Sequence, residues 1–347
     1  MTDKLPAAVL AIDGGNSKTD VALVAADGTL LASVRGPGAS HEEFGLDEAM
    51  RRLGELVRLA ADQAGRSPTG HVARHTSACL AGADLPEEEA QLTAAVQAQG
   101  WSLTSAVAND TFAVLRAGLT PAEGERPWGI AVTCGAGINC VGVAPDGRTT
   151  RFLAFGTLSG DWGGGHGLGR EMVWCAMRAE DGRGEPTALQ AEVAKFYGLS
   201  SMHEVAVALH RGQLAEDDLI GLPAVLFATA EKGDAVARSL VELQADEVCS
   251  MAVTAIRRLD LDSDSANPAN HPAIPVVLGG GVLEARNPLL TDAVTRRLAA
   301  SVPGSDVRIV DTAPVTGAAL LGLDYLGAGP AAERRLRSGA LLTNPAD

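Results

Sequence analysis

One pattern occurs twice in this chain, and it restricts the fold more than any other feature. Residues 9–12 read as an apolar strand, followed by a Gly-Gly turn and a second strand at 20–25. Asp27-Gly28 is then a hairpin turn whose two positions favour φ > 0, and residues 29–34 are a third strand. The order returns as a strand at 130–134, the turn Gly135-Ala136-Gly137, a strand at 138–143, the turn Asp146-Gly147 and a strand at 149–155. The copies lie about 120 residues apart, a spacing for two domain-sized units rather than a solenoid.

Between the copies, residues 42–64 have helical periodicity and 72–80 read as a strand. Residues 86–99 read as a helix after the start signal Asp84-Leu85-Pro86. Residues 102–108 read as a strand, and Thr111 opens a helix that runs to Gly118. The stretch from about 167 to 260 is mostly helical, and 262–275, rich in Ser, Asn, Asp and Pro, is a loop. A short strand at 276–278 ends in Gly279-Gly280-Gly281; a helix, a strand at 307–310 and a helix at 315–326 follow. From 327 the chain reads as a poorly ordered tail. A β-meander followed by helix and strand alternation predicts a mixed sheet covered by helices, the α/β class. A length of 347 residues also points to two domains.

Hydrophobic residues make up 46% of the chain but aromatic ones only 3%, so the cores must be built from Ala, Val and Leu. The 43 acidic residues outnumber the 28 basic ones, for a formal charge of −15. That charge argues against a nucleic-acid partner and against anionic lipid. No apolar run reaches membrane length and no charged leader opens the chain, so the expected setting is the cytoplasm, with no membrane partner. Cys79, Cys134, Cys140, Cys175 and Cys249 are odd in number and widely spaced, which suits a reducing compartment. Cys134 and Cys140 read as small buried hydrophobes rather than cluster ligands.

The first turn, Asp13-Gly14-Gly15-Asn16-Ser17-Lys18-Thr19-Asp20, is dense in polar groups. Gly14 and Gly15 let the backbone approach a ligand closely, while Asn16, Ser17, Thr19 and Lys18 offer donors and a cation. Asp13, at a strand end, is placed to hold a hydrated Mg²⁺ beside phosphates. An ordinary hairpin turn is the alternative, but it would not need this polar density. Gly135, Ala136 and Gly137 read either as a bulged hairpin or as the second jaw of a phosphate clamp. Asn109-Asp110-Thr111 stands where a strand meets a helix: Asp110 is either a helix cap or a general base for phosphoryl transfer. Six glycines fall within 160–169, around Asp161, Trp162 and His166, as a flexible loop or a sugar-stacking face. Gly279, Gly280 and Gly281 could form a flat bed for adenosine.

Together these residues resemble the N-acetylglucosamine kinase branch of the actin/hexokinase superfamily, in the group that also holds the BadF/BadG-type ATPases. The resemblance runs over about 9–326. It rests on the 13–20 turn, Asn109-Asp110, Cys134-Gly-Ala-Gly-Ile-Asn139, Gly160-Asp-Trp-Gly163 and Leu278-Gly-Gly-Gly281. It implies two ribonuclease-H-like, actin-like ATPase domains with a cleft between them that holds ATP and Mg²⁺. The first domain would be 1–117, joined by the helix at about 314–326; the second would be 118–313 with a helical insertion, leaving 327–347 as a tail.

By position, Ser17 falls on the family's hydroxyl contact to phosphate and Lys18 on a basic position. Asp110 falls on the catalytic Asp, beside Asn109. Ser40 and His41 fall on an Asn-His pair that holds the sugar, Ile138 and Asn139 on a Ser-Asn substrate pair, and Asp161, Trp162 and Gly163 on a Gly-Trp-Gly sugar run. Lys232 and Gly233 border the adenine. Ser40, Ala136 and Ile138 depart from the family's Asn, Thr and Ser. Leu168 stands where the family has a sugar-binding Asp, which Asp161 could replace.

The implied activity is transfer of the γ-phosphoryl to the 6-hydroxyl of an amino sugar such as N-acetylglucosamine or glucosamine, by a homodimer. The alternatives are a BadF-type ATPase driving a conformational or redox change in a partner enzyme, a regulatory protein that kept the fold, and a repressor-related sugar kinase. The last would carry a zinc-binding cysteine cluster, which is absent from the sequence.

Overall fold

The computed structural model describes residues 7–67, 70–122, 124–262 and 273–339. The first apolar run becomes β1 (Ala7–Gly14), buried along nearly its whole length. It pairs antiparallel with β2 (Lys18–Val24), which pairs antiparallel with β3 (Leu30–Pro37). On its other side β1 runs parallel to β4 (Ala73–Leu80), and β4 runs parallel to β5 (Ser102–Asn109). The sheet order is therefore β3-β2-β1-β4-β5.

A central strand covered on both faces has no polar side, which is why β1 reads as an unbroken apolar run. On one face Leu10, Ile12 and Leu23 join Leu53 and Val57 of α2 (Leu46–Gln63) and Leu92 and Val96 of α3 (Pro86–Ala98). On the other, Val9, Ala11, Ala22 and Val24 pack with α4 (Asp110–Gly118), α12 (Pro314–Tyr325) and α13 (Pro330–Ser338). Small residues permit close approach: a Cβ on Gly317 of α12 would lie 1.9 Å from the Ala113 carbonyl oxygen of α4. α1 (His41–Phe44) is a single turn before α2.

The second sheet contains β6 (Gly129–Cys134), β7 (Ile138–Val143), β8 (Thr149–Arg151), β9 (Ile274–Gly279) and β10 (Ser305–Ile309), in the order β10-β9-β6-β7-β8. β6–β7–β8 is an antiparallel meander, and β6, β9 and β10 are parallel. This is the topology of the first sheet repeated strand for strand. Between β8 and β9 come α5 (Gly164–Glu180), α6 (Leu189–Phe196), α7 (Met202–His210), α8 (Pro223–Glu231) and α9 (Ala235–Arg258). α10 (Gly281–Glu284) and α11 (Pro288–Ser301) follow β9. The chain divides into two compact units, Met1–Trp128 with Val310–Asp347, and Gly129–Ile309.

The duplication reaches the Asp-Gly turns. Ala25 N–H donates to Thr29 C=O at 2.9 Å and Gly28 N–H to Ala25 C=O at 3.0 Å; Ala144 to Arg148 (2.8 Å) and Gly147 to Ala144 (2.9 Å) match them. Only the glycines have positive φ, Gly28 at 85° and Gly147 at 91°. These are three-residue loops with glycine at the left-handed position, not the expected turn with φ > 0 at both positions. Three further expectations are corrected. The third strand of the second copy stops at Arg151, short of the left-handed Ala154. The expected tail contains α13, anchored by the buried Ala332 and Leu336. The glycine-rich run is not a loose loop, because from Gly164 it is the first part of α5. The rest of the tail, 340–347, and 263–272 of the expected loop lie outside the described residues.

Candidate active site

In the first unit, Gly15 N–H donates to Lys18 C=O at 2.9 Å and closes the turn between β1 and β2, with Asn16, Ser17 and Lys18 exposed at its tip. The segment leaving β3 braces it. Ala39 N–H donates to Gly15 C=O at 3.3 Å, and a Cβ on Gly38 would lie 1.7 Å from the Asn16 carbonyl oxygen. Only glycine fits there. Ser40 and His41 follow directly; Ser40 is 3% exposed and its Oγ has no partner among the described residues. The buried Thr19 Oγ1, on the strand position opposite Gly14, likewise lacks one.

Asp13 lies half-buried on β1, opposite Asp20 of β2 and Cys79 of β4. Burial pushes its carboxyl up to about 8; Asp110 and then Asp20 add to the rise, while Lys18 and Arg35 oppose it. Asp20 is held by a bidentate pair with Arg35, Nε to Oδ1 at 2.7 Å and Nη2 to Oδ2 at 2.9 Å. Asp110 opens α4, and burial raises its carboxyl against the Thr111 N–H and hydroxyl bonds that lower it. The helix is capped by Asn109, whose Oδ1 accepts from Thr111 N–H at 2.9 Å while its Nδ2 donates to Asp84 at 2.7 Å. Asp110 is thus the first helical residue, and the cap position is filled by Asn109.

An excess of carboxylate around Asp13 suits a bound cation. Among the described residues no three His, Cys, Asp or Glu side chains gather tightly enough to ligate a metal directly. This donor set fits Mg²⁺, which keeps much of its water and takes one or two carboxylates plus phosphate oxygens. Asp13 would hold it, and the ion would neutralise developing phosphate charge.

In the second unit the glycine motifs converge. Gly135 N–H donates to Gly137 C=O at 3.0 Å to close the β6–β7 turn. The first N–H groups of α5 bond to that turn: Gly165 to Gly135 C=O at 2.7 Å and His166 to Ala136 C=O at 3.0 Å. Gly164 (φ +71°) leaves no room for a Cβ, which would sit 2.4 Å from Gly137 O, and a Cβ on Gly280 (φ +86°) would sit 2.6 Å from the Cys134 backbone. Gly279 ends β9 beside Thr133, and Gly281 begins α10. Asn139 Oδ1 accepts from Cys140 N–H at 2.7 Å. Burial pushes the Cys134 thiol up to about 12 and raises Cys140 as well, as befits core residues.

Asp161, Trp162 and Gly163 lead into α5. Asp161 is buried and bonds Ser159 Oγ, so its carboxylate is engaged within its own loop. Leu168 is fully buried in the core. Lys232 is exposed at the end of α8 and pairs with Glu192 at 3.0 Å.

Sequence reasoning missed Asp20 as a site group, and also Arg35, Asp84 and two residues of α9. One is Gln244, fully buried, whose Oε1 accepts from Gly164 N–H at 3.0 Å and whose Nε2 has no partner among the described residues. The other is Glu247, raised by burial and by Asp161, and bonded by Trp162 N–H. The one signal in the sequence was Asp20, at the end of the first motif.

The profile of the BadF/BadG/BcrA/BcrD ATPase family matches residues 10–322. The chain belongs to this ATPase family. ATP use follows from that membership. An N-acetylmuramic acid/N-acetylglucosamine kinase of Clostridium acetobutylicum is 28% identical over 243 residues, 69% of this chain and 76% of its own length. An N-acetyl-D-glucosamine kinase of Dictyostelium discoideum is 23% identical over 322 residues, 91% of this chain and 97% of its own. A Chromobacterium violaceum structure, provisionally named an N-acetylglucosamine kinase, superposes with a TM-score of 0.70 at 22% identity, covering 92% of this chain and 99% of that one. The α/β architecture with two mixed sheets is therefore one that this family member shares with a solved relative.

Proposed function

We propose that this chain is an ATP-dependent carbohydrate kinase that transfers the γ-phosphoryl of ATP to the 6-hydroxyl of an amino sugar such as N-acetylglucosamine or glucosamine. The observation that carries the reading is Asp110. It is half-buried, raised by that burial, the first residue of α4 rather than its N-cap, and electrostatically close to Asp13, on the unit that bears the exposed Asn16–Lys18 turn. The two relatives named as kinases of such sugars support it. The repeated strand order supports reading each unit as a ribonuclease-H-like core of the actin-like kind, and the two units as its functional domains. A homodimer in the cytoplasm is the expected setting.

In this reading Gly14, Gly15, Asn16, Ser17 and Lys18 hold phosphate oxygens, and Gly135, Ala136 and Gly137 contribute a second glycine turn. Gly279, Gly280, Gly281 and Lys232 border the adenosine. Ser40, His41, Asn109, Asn139, Asp161, Trp162 and Gly163 contact the sugar. The orphan Ser40 Oγ has a ready partner in a sugar hydroxyl. Asp110 accepts the hydroxyl proton as the sugar oxygen bonds to the γ-phosphorus and the bond to ADP breaks. Such catalysis is mostly positioning and charge neutralisation.

Asp110→Asn keeps the shape and removes the base. Sugar-dependent kcat should fall by about 10²–10⁴-fold, the range for loss of a general base, while ATP binding measured by calorimetry stays nearly unchanged. Turnover retained in this variant would remove Asp110 from the base role.

A further inference from the structure

A cavity of about 410 Å³ lies along the distal part of α5, bounded by that helix, α7 and the loop before α8. Its lining on α5 starts at Arg170, beyond Gly165 and His166 that bond Gly135 and Ala136, and Arg178 is about 20 Å along the helix from Gly164 at about 1.5 Å per residue. Arg170, Val173, Trp174, Met177 and Arg178 recur at the spacing of one helix face and all line it. The volume is within the range of small-molecule sites, roughly 300–1,000 Å³.

The lining has three chemistries. Trp174 is 57% exposed and offers a broad aromatic face. Arg178 stacks its guanidinium over that ring, 4.5 Å from the centroid, and donates through Nη2 to Arg183 C=O at 2.9 Å. No carboxylate of the described residues ion-pairs with Arg178, whereas Arg170 pairs with Glu216 and Arg183 with Asp181, both at 2.6 Å. Of the three guanidiniums round the cavity, two are thus matched by a carboxylate, and Asp181 also feels the charge of Arg178. Glu216, on the opposite wall, supplies carboxylate acceptors.

We propose that this cavity binds a hexose phosphate. The guanidinium of Arg178, with Arg183 beside it, takes the phosphate, whose oxygens match its planar fork. The pyranose packs its apolar face against the exposed part of the Trp174 indole that Arg178 leaves uncovered, an aromatic surface suited to a ligand apolar on one side and wet on the other. Its hydroxyls donate to Glu216. Arg178 remains stacked on the indole, so the phosphate meets a cation already held in place. The assignment does not depend on the kinase reading, although a sugar phosphate is also the class of product that reaction would release.

The test titrates the full-length chain, without nucleotide, with glucose 6-phosphate, following tryptophan fluorescence and heat. Glucose and inorganic phosphate are run as separate arms. The expected result is a saturable fluorescence change in the wild type. Trp174→Phe should abolish it. Arg178→Gln should weaken binding at least tenfold, with Arg178→Lys intermediate, and each arm alone should bind more weakly than the ester. Sugar-dependent ATP turnover of Arg178→Gln should match the wild type. Three results would overturn the proposal: no saturable binding, wild-type affinity in both the Trp174 and Arg178 variants, or inorganic phosphate binding as tightly as glucose 6-phosphate. A chain that fails to phosphorylate any sugar would sink the kinase reading and leave this titration unaffected.

Discussion

In the proposed site, Asp13 trades stability for function. Its ordinary carboxyl value is 3.8, and in the fold it is pushed up to about 8. Between those values the folded chain holds a proton that the unfolded chain has released, so stability falls as pH rises from about 4 to about 8 and the loss is complete above that. Without Mg²⁺ or nucleotide, Asp13→Asn should therefore melt above the wild type at pH 8, with the gap closing towards pH 4. The same variant should lose the stabilisation that Mg·ATP gives the wild type. Identical melting profiles from pH 4 to pH 8 would show that Asp13 is not so strained. Asp13 and Asp110 were legible because a strand end and a helix start are local signals. Arg35, Asp84 and Gln244 were not, since their partners lie 15, 25 and 80 residues away.

At the scale of elements, one helix, α13, and the glycine-rich start of another, α5, escaped sequence reasoning for one reason: neither is stable through its own residues. The start of α5 is rich in glycine, a poor helix former, and is fixed by the β6–β7 turn and Gln244. α13 buries only Ala332 and Leu336, and is held by charge. The buried Arg116 of α4 donates to Asp324 of α12 at 2.7 Å and to Glu333 of α13 at 2.7 Å. Arg337 returns the favour by donating to the Ala117 carbonyl at the end of α4 at 2.8 Å. Arg116→Ala removes the cation of the partly exposed Asp324 and one of the two on Glu333, which keeps Arg337 at 2.8 Å, and chemical denaturation should show a loss of about 1–3 kcal/mol. A loss below about 1 kcal/mol, the range of a surface pair, would contradict the burial argument. The braced first turn makes a separate prediction. Gly38→Ala cannot be accommodated without moving Asn16, and a shift of about 1 Å at a positioning element can lower kcat/KM for ATP by about 100-fold. An unchanged value would mean the turn is not part of the nucleotide site.

Over the whole molecule, the duplication visible in two glycine turns and two Asp-Gly turns extends to strand order, strand direction and turn hydrogen bonds. It was legible because a meander must be built from contiguous sequence. The parallel partners β9 and β10 and the five helices inserted before them join their sheet from far along the chain, so their place in it was not. The two units differ where their chemistry does. The first carries the carboxylates around Asp13 and Asp110, and the second the glycine-lined start of α5. The central claim is tested by ADP release from the purified chain with Mg·ATP, measured across amino sugars and hexoses and without sugar. Release that depends on an amino sugar and is at background without it is the predicted result. Release at the same rate with and without every sugar would contradict the account and favour an ATPase that drives a partner.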